Sequence, residues 1–445
     1  MKVYSIGGYS EVGKNMTVVD LGEDAFIFDA GFMIPALVEL QEEKIGEYSE
    51  KRLRNKGAMP DDLILDKLGI RNKVRAIFLS HGHLDHVGAV PFLSYRYNAP
   101  IIGSPYTTEI LKNTLQNDGI RIPNQILSAK LNSFVSIKGK NKTYKAQLIN
   151  ITHSIPHSTM IALHTPEGVV VYGNDFKMDN TPVIGNPPNY DALKKISKEG
   201  VKVAIIDSLY CNSKTKTPSE RVARNILGEV LLTVQNDNAG IFVTTFSSHI
   251  ARLKSITDFA KKLDRKVVFL GRSMKSYVSA ASKVNLAPFR KDIEIKAYKS
   301  QVASALRKIS NNRSKYLVVC TGHQGEPGSI LERISRKQLP FSFEKKDNLV
   351  FSSKTIPVPV NIKNKDVMDK RLEKSGVRIF DNVHVSGHGG KEDLRDLLNL
   401  INPQHIIPSH GPMEKTRSME ILALEEGYNV KKQVHVLKDG EKVAL

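Results

Sequence analysis

The sequence predicts an α/β protein with more than one domain. Its 445 residues exceed what one hydrophobic core ordinarily organises, so about two domains or more are expected. Residues 1–208 alternate short strand-like runs with turns, whereas residues 209–370 alternate strand-like and helical runs in the βαβ manner of a parallel sheet. Residues 371–445 return to the style of the first segment, which gives a predicted organisation of 1–208, 209–370 and 371–445.

The elements of the first segment follow from apolar runs between turn residues. Residues 37–66 are charged and lack a strand pattern, so we expect a surface loop or helix there, or alternatively the lip of a substrate channel. Residues 89–97 have helical spacing. The predicted strands are Met16–Asp20, Ala25–Gly31, Val74–Leu79, Pro100–Gly103, Ala146–Ile151, Met160–His164, Gly168–Gly173 and Val201–Asp207.

The second and third segments are assigned in the same way. Helical spacing runs from Ser219 to Gln235, and again from the end of the next strand to Leu263. The predicted strands are Gly240–Thr245, Lys266–Leu270 and Tyr316–Thr321, followed in the third segment by Val377–Phe380 and a strand from Ile406 that ends beside His410.

The composition narrows the functional classes. Two cysteines cannot form a disulfide framework, and no long apolar segment reads as a signal peptide or membrane helix, so we expect a cytoplasmic protein without a membrane partner. The formal net charge of +19, from 65 basic and 46 acidic residues, favours a polyanionic partner such as nucleic acid, or acidic lipids.

One short run concentrates metal-ligating side chains. His81, His83, Asp85 and His86 lie within six positions, directly after the apolar strand Val74–Leu79. Nitrogen and oxygen ligands of this kind suit zinc, although carboxylate-containing sites also admit manganese. The alternative is a histidine-rich surface loop that binds no metal.

Further candidate ligands follow other predicted strands. His81 and His83 are placed to share one ion, and Asp85 and His86 to reach a second. His153, Asp175 and His410 each come just after a strand-like run, and a carboxylate such as Asp175 can bridge two ions. Each of these residues alone would more often be structural, but together with the run they predict a dinuclear site.

These residues resemble, in order, the motifs of the metallo-β-lactamase superfamily: Asp29, then His81, His83, Asp85 and His86, then His153, Asp175 and His410. The resemblance implies an αββα sandwich with two zinc ions. It assigns His81, His83, His153 and Asp175 to one ion, and Asp85, His86, Asp175 and His410 to the other. It also implies that Asp29 orients the loop that carries the histidines.

Three later segments are similar to motifs A, B and C of the β-CASP nucleases of this superfamily: Asp207-Ser208, Ser386–Gly389 and Pro408–Gly411. The opening Gly7–Met16 and the segments His153–Pro156, Asp175–Lys177 and Thr321–Pro327 resemble the ribonuclease J family. The implied fold is therefore a metallo-β-lactamase αββα sandwich with an inserted β-CASP domain, a parallel sheet flanked by helices. Little sequence follows motif C, as in archaeal members without the bacterial C-terminal domain. His157 and His323 depart from the Asp and Ser more usual in bacterial members.

The resemblance also suggests catalytic roles. A metal-activated water would attack phosphorus in line with the departing 3′ oxygen. Asp85 is then a candidate proton acceptor as well as a ligand, and Asp175 a shared ligand. His388 is a candidate for stabilising the phosphate or assisting the leaving group. Asp207 would position His388 or His410 through a hydrogen bond.

Recognition of a 5′ end needs contacts to a terminal phosphate. The glycine-rich turn Ser386, Gly387, His388, Gly389 is expected to offer free backbone N–H groups. Ser247 precedes a predicted helix and either binds phosphate or is an ordinary helix cap, and His323 either lines the RNA path or is part of a plain turn. Basic residues of the second segment, such as Lys261, Arg272 and Arg307, are candidates for backbone contacts, although most are expected to be solvated surface.

The predicted function is that of a zinc-dependent 5′-to-3′ exoribonuclease, with or without endonuclease activity, acting on single-stranded RNA with a 5′ monophosphate. A purely endonucleolytic RNA-processing nuclease of the same fold is the main alternative. Small-molecule hydrolysis and RNA binding with an inactive metal site are the others, and the charge and the complete ligand set argue against them. A homodimer is suggested by the family alone.

Overall fold

The computed structural model of the chain describes residues 1–40, 47–234, 238–356 and 358–445. The charged run Gln41–Lys44 and the predicted helix end at Gln235 lie outside the described residues. The chain forms two compact units. The first contains Met1–Asn180, Asn186–Thr217 and Gly387–Leu445, and the second contains Thr181–Gly185 and Pro218–Ser386.

The strands of the described residues are, in chain order, β1 (Lys2–Gly7), β2 (Met16–Asp20), β3 (Ala25–Phe28), β4 (Val74–Leu79), β5 (Ile101–Gly103), β6 (Ile126–Ser128), β7 (Phe134–Lys138), β8 (Thr143–Asn150), β9 (Thr159–Thr165), β10 (Gly168–Gly173), β11 (Val201–Asp207), β12 (Ile241–Thr244), β13 (Lys266–Leu270), β14 (Ile293–Lys296), β15 (Tyr316–Cys320), β16 (Asn348–Phe351), β17 (Arg378–Phe380), β18 (His405–Ser409) and β19 (Lys442–Ala444).

The helices are α1 (Ile34–Leu40), α2 (Glu50–Asn55), α3 (Ile64–Lys67), α4 (Leu84–Val87), α5 (Val90–Leu93), α6 (Pro105–Asp118), α7 (Tyr190–Glu199), α8 (Glu220–Thr233), α9 (Ile250–Lys262), α10 (Arg272–Lys283), α11 (Lys299–Ser310), α12 (Ile330–Ser335), α13 (Pro359–Ser375), α14 (Lys391–Ile401), α15 (Met413–Thr416), α16 (Ser418–Glu425) and α17 (Val430–Gln433). Within the described ranges, no helix combines the length and the apolar character needed to cross a membrane.

The first unit is a sandwich of two sheets. One sheet has the order β19-β1-β2-β3-β4-β5-β6, and the other β18-β11-β10-β9-β8-β7. Apolar side chains from both sheets, including Phe28, Phe78 and Tyr172, are buried together between them. The outer face of the first sheet packs on residues of α2, α5 and α6, and that of the second on residues of α7, α14 and α16. The α/β fold class and the αββα layering expected from the resemblance are confirmed.

The second unit is a parallel sheet of order β14-β13-β15-β12-β16-β17. Its central strands are fully buried, as their near-continuous Val, Leu and Phe content predicts for a sheet covered on both faces. A cluster of apolar residues from these strands and from α11, α12 and α13 forms one side of its core.

The structure differs from the sequence prediction at the edges of this unit. Residues 371–386 were expected in the final segment, but β17 pairs in parallel with β16 and so extends the second sheet. The unit therefore runs to Ser386 and begins at Pro218 rather than at residue 209. The predicted helix 89–97 is the short α5 followed by a 3₁₀ turn at Ser94–Arg96. Residues 34–67 hold α1, α2 and α3 where they are described.

Candidate metal centre

The candidate ligands collect at one edge of the sandwich because of strand direction. β8, β10, β11 and β18 run the same way, so the residues that follow them emerge at the same edge. His153 follows β8, Asp175 follows β10 and His410 follows β18. The turn after β4 in the opposite sheet carries His81 and His83, and α4 carries Asp85 and His86.

Asp175 belongs to two four-residue sets of potential metal donors and to a third set with Asp207 and His388, and the donor atoms of each set lie within 4.8 Å of one another. The first set is His81, His83, His153 and Asp175, and the second is Asp85, His86, Asp175 and His410. Oδ2 of Asp175 lies 3.5 Å from Nε2 of His81 and 3.1 Å from Nε2 of His86. Its Oδ1 lies 3.3 Å from Nδ1 of His410. One carboxylate therefore faces both sets.

The chemistry of the donors fits a divalent metal pair. Asp175 is only 1% exposed, and its Oδ1 accepts no hydrogen bond from the described residues. Nδ1 of His83 lies 3.1 Å from Nε2 of His81 and 3.2 Å from Nε2 of His153. Nδ1 of His83 is therefore within hydrogen-bond distance of two other imidazole nitrogens. Imidazole nitrogens and carboxylate oxygens at these positions are the donors that zinc and manganese accept.

The histidines of the first set are held neutral. Burial lowers the pKa of His83 to about 4 and the pKa of His81 and His153 well below the ordinary range. Neighbouring histidines act in the same direction on all three, because a second positive charge nearby is unfavourable. A neutral imidazole is the form that ligates a metal.

Asp29 anchors the loop that carries the histidine run. Its carboxylate accepts hydrogen bonds from the backbone N–H of Ser80 at 2.8 Å and from the Ser80 hydroxyl at 2.7 Å. Nδ1 of His86 and the hydroxyl of Tyr172 lie 2.7 and 2.9 Å from its Oδ2. Two residues further on, Gly31 approaches so closely that a Cβ there would lie 1.6 Å from the carbonyl oxygen of Asp85. Asp29 thus touches the loop in the way expected of an orienting residue.

The Asp207 carboxylate hydrogen-bonds the ring of His388 and a backbone N–H of the turn that follows Asp207. Its Oδ2 lies 2.7 Å from Nδ1 of His388, and its Oδ1 accepts from the backbone N–H of Leu209. Nε2 of His388 lies 3.9 Å from Oδ2 of Asp175. Burial opposes a charge on His388, but Asp207 and Asp175 raise its pKa to about 9. Of the two partners considered for Asp207, the structure pairs it with His388.

The Ser386–Gly389 turn differs from expectation in one respect. The N–H of Gly389 donates to the carbonyl of Phe176 at 2.6 Å, so it is not free for a phosphate. Gly387 instead serves close packing, since a Cβ there would lie 2.7 Å from the side chain of Ser154. The carbonyl of Gly387 accepts from Nδ1 of His153 at 2.8 Å, which ties this turn to the first donor set.

Two candidate RNA contacts lie in the second unit. Ser247 precedes α9, but the side chain that caps α9 is His249, which accepts from the N–H of Arg252. His323 is 3% exposed, and neither of its ring nitrogens has a hydrogen-bond partner among the described residues. The ring of Phe246 packs edge-on against it at 4.1 Å. His157, the other departure noted above, is partly buried in the first unit, and burial lowers its pKa to about 4.

Comparison with known proteins decides the family. The chain is 44% identical to "Ribonuclease J" of Methanocaldococcus jannaschii over 99% of its own length and 98% of that protein. The chain belongs to the ribonuclease J family. It is 39% identical to the "Ribonuclease J" of Pyrococcus abyssi over 100% of this chain and 97% of that one. It is also 29% identical to "Ribonuclease J 1" of Streptococcus pyogenes, over 100% of this chain but 74% of the relative.

Family models agree with this ribonuclease J assignment. The model described as "Metallo-beta-lactamase superfamily" matches residues 9–178, and "Ribonuclease J, beta-CASP domain" matches 238–369. "Zn-dependent metallo-hydrolase RNA specificity domain" matches 377–436. A crystal structure of a protein of unknown function from Enterococcus faecalis V583 has a TM-score of 0.66 at 16% identity, covering 100% of this chain and 99% of that one, which shows the shared fold.

The sequence prediction missed polar residues that support this ribonuclease J centre from outside. Asn15 and Asn174 are buried beside the ligands and hydrogen-bond each other. Asp393 is fully buried and accepts from the backbone N–H groups of Met178, Thr217 and Gly390. Asp393 stands three residues after Gly390, at the start of α14, and an acidic residue there is a recognisable capping signal. Asn15 lies in the segment Gly7–Met16 that resembles the family, but nothing in that segment indicated its contacts with the ligands.

Proposed function

We propose that the chain is a divalent-metal-dependent ribonuclease that hydrolyses single-stranded RNA from its 5′ end. The observation that carries the proposal is Asp175, a buried carboxylate shared by two donor sets in a member of the ribonuclease J family. The match of the RNA-specificity model to residues 377–436, which include His388 and His410, and the net charge of +19 support RNA as the substrate.

The two donor sets are proposed to hold one ion each, zinc in preference to manganese. His81, His83, His153 and Asp175 would hold the first, and Asp85, His86, Asp175 and His410 the second. Ions bound there would polarise a phosphoryl oxygen and lower the pKa of a water molecule.

Asp85 is proposed to accept the proton of the attacking water. Its Oδ2 lies 3.7 Å from Nε2 of His86, and its side chain is 20% exposed, whereas Asp175 is almost completely buried. An exposed carboxylate can pass a proton on to solvent, which a buried one cannot do without cost. Asp85 therefore suits proton transfer, and Asp175 suits ligation.

His388 is proposed to bind the scissile phosphate or assist the leaving group. Asp207 fixes its Nδ1, so Nε2 is the nitrogen that faces Asp175 and the donor sets. Ser386 and Gly387 would lie beside the same phosphate. Ser247 and His323 are proposed as RNA contacts of the second unit, and Gly389 is retained only as a packing residue of the turn because its N–H is already bonded.

The direction of cleavage is tested with RNA labelled at its 5′ end. We expect labelled mononucleotides from 5′-monophosphate RNA and slower release from 5′-triphosphate RNA. Labelled internal fragments without mononucleotides would instead support a purely endonucleolytic enzyme. Metal content measured on the same preparation should be about two ions per chain, and removal by chelator should abolish activity until zinc or manganese is restored.

Two variants separate the roles of the residues. Asp175→Ala should lower activity by more than about 100-fold, because even residues outside the ligand set change metal sites by about 10- to 100-fold. His388→Ala should keep both ions and lower turnover by about 10²- to 10⁴-fold, the usual range for a proton donor or acceptor. Asp191→Asn, on the exposed face of α7, is the matched control and should be unchanged. Activity that survives Asp175→Ala would refute the metal mechanism.

Assembly and location are further proposals that rest on the family and the composition. A homodimer is tested by light scattering on the eluting protein, with a single-chain mass as the contrary result. A cytoplasmic location stays a prediction.

A further inference from the structure

Asn15 contacts three of the proposed ligand residues and lies outside both donor sets. Its Nδ2 donates to the carbonyl of Asp85 at 3.0 Å and lies 3.1 Å from Nε2 of His86. Its Oδ1 lies 3.0 Å from Nδ1 of His410. These residues come from α4 and from the end of β18, and the Asn15 side chain, 1% exposed, lies between them.

The Asn15 side chain is itself held in place. Its backbone N–H also donates to the carbonyl of Asp85, at 3.1 Å, and its carbonyl accepts from the N–H of Gly31. Nδ2 of Asn174 donates to its Oδ1 at 3.1 Å, and the hydroxyl of Ser409, the residue before His410, donates to Oδ1 of Asn174. A continuous buried network therefore links Asn15 to the ring of His410 and to the residue before it.

These contacts determine how His410 presents its ring. Oδ1 of Asn15 and Oδ1 of Asp175, at 3.0 and 3.3 Å, are both acceptors beside Nδ1 of His410. A ring proton placed on Nδ1 of His410 would satisfy Oδ1 of Asn15 and leave Nε2 with its lone pair. Without the Asn15 side chain, the His410 ring loses its contact with Oδ1 of Asn15, and the carbonyl of Asp85 keeps only the backbone N–H donor of residue 15.

The first donor set is supported differently. Nδ1 of His153 pairs with the carbonyl of Gly387, and Nδ1 of His81 lies 3.0 Å from the hydroxyl of Ser80. Asn15 makes no hydrogen bond to His81, His83 or His153 among the described residues. Replacing Asn15 therefore removes hydrogen bonds to residues of the second donor set without removing any to the histidines of the first.

We propose that Asn15 is a positioning residue for the second donor set, so that an ion at Asp85, His86, Asp175 and His410 depends on Asn15 while an ion at the first set does not. The proposal rests on the proposed function for the presence of two ions. It concerns the unequal support of the two positions, which the family assignment does not specify.

The test measures metal binding and not activity. Full-length wild type and Asn15→Ala are loaded with zinc, dialysed against buffered zinc, and analysed for zinc per chain and for both affinities by chelator competition. We expect two ions in the wild type. In Asn15→Ala we expect one affinity to be unchanged and the other to fall by about 10- to 100-fold, the usual effect of losing a residue that orients a ligand.

Asn124→Ala is the matched control. The Asn124 amide donates to the carbonyls of Ser94, Tyr97 and Ala99, so its loss also removes partly buried amide hydrogen bonds in the first unit. This variant should keep both zinc affinities. If Asn15→Ala does not fold, Asn15→Thr, which is close in size and suits the strand that begins at Met16, provides the same measurement.

A double variant identifies which position is affected. His410→Ala removes a ligand of the second set, so adding Asn15→Ala to it should cause little further loss of zinc. Wild-type affinities in Asn15→Ala, or an equal fall at both positions, would overturn the proposal. A wild type that binds two ions but leaves RNA intact would instead refute the proposed function and leave the role of Asn15 standing.

Discussion

Arg252 of the second unit is completely buried, and its side chain makes five hydrogen bonds with described residues. Two of them form a fork with Glu220, at 2.7 and 2.9 Å, and Nη1 donates to the carbonyl and hydroxyl of Ser352 and to the carbonyl of Val383. Replacing it with Met removes the guanidinium partner of the Glu220 carboxylate, which is only 4% exposed.

The expected cost of Arg252→Met is about 3–5 kcal/mol of unfolding free energy, the usual result of breaking one side of a buried ion pair. For a unit of this size that corresponds to a fall in Tm of about 6–20 °C, at about 2–4 °C per kcal/mol. Adding Glu220→Leu removes the unpaired charge, so the double variant should be more stable than Arg252→Met alone.

Urea unfolding of the full chain, with hydrogen exchange at β12 and β15 to identify the second unit, measures the effect. Lys254→Met on the same helix is the matched control. Lys254 pairs with Asp258 at 2.6 Å, but both side chains are more than a quarter exposed, so the loss should stay below about 1 kcal/mol. Two results would refute the reasoning. One is a loss of unfolding free energy in Arg252→Met no larger than in Lys254→Met. The other is a loss in the double variant at least as large as the sum of the losses in Arg252→Met and Glu220→Leu.

Four further outcomes are expected. Asp29→Asn places an amide N–H₂ group against the donors that Asp29 now accepts from, and chelator competition should show zinc binding weaker by about 10- to 100-fold. Tyr172→Phe removes one of these donors, and urea titration should show a loss of about 1–3 kcal/mol of unfolding free energy. Asp393→Asn should cost about 1–3 kcal/mol in the same titration, since it weakens an acceptor of three backbone N–H groups. Burial and the charge of Arg252 lower the pKa of His384 from 6.5 to about 2, so the stability that this residue contributes is complete above pH 6.5 and is lost as pH falls towards 2. The slope should approach about 1.4 kcal/mol per pH unit near pH 5, and His384→Asn should flatten it; an unchanged slope would contradict this.

The ligands were predictable because each is marked locally. His81, His83, Asp85 and His86 form one dense run, and the remaining three follow apolar strands. Strand direction then brings the ligands together, because strands that run the same way end at the same edge of the sheet. Asp29 was predictable only through the resemblance, because a single carboxylate after a strand has many structural uses.

Other features depend on contacts that no local pattern encodes. The apolar run Val377–Phe380 predicts a strand but does not indicate which strand it pairs with. The parallel pairing of β17 with β16 assigns it to the second sheet. The N–H of Gly389 could be judged free or bonded only once the carbonyl of Phe176 was found beside it. Asn15 is polar in a turn, where Asn is common, and its role depends on His410, which is 395 positions away.

The position of His388 can be traced to the first unit alone, although its turn follows directly on the second. The outgoing chain at Thr217 and the returning chain at His388 meet, since the Thr217 hydroxyl donates to the carbonyl of His388 at 2.8 Å. Tyr210 and Gly390 form a further bridge, and Asp393 accepts from the N–H of both Thr217 and Gly390. Asp207 is also bonded to the ring of His388, so residues of the sandwich hold both its backbone and its side chain. Because the chain segments that flank the insertion are hydrogen-bonded to each other, the insertion adds little strain to the sandwich. The donor residues of the sandwich can therefore stay together although the 169 residues Pro218–Ser386 are inserted between them.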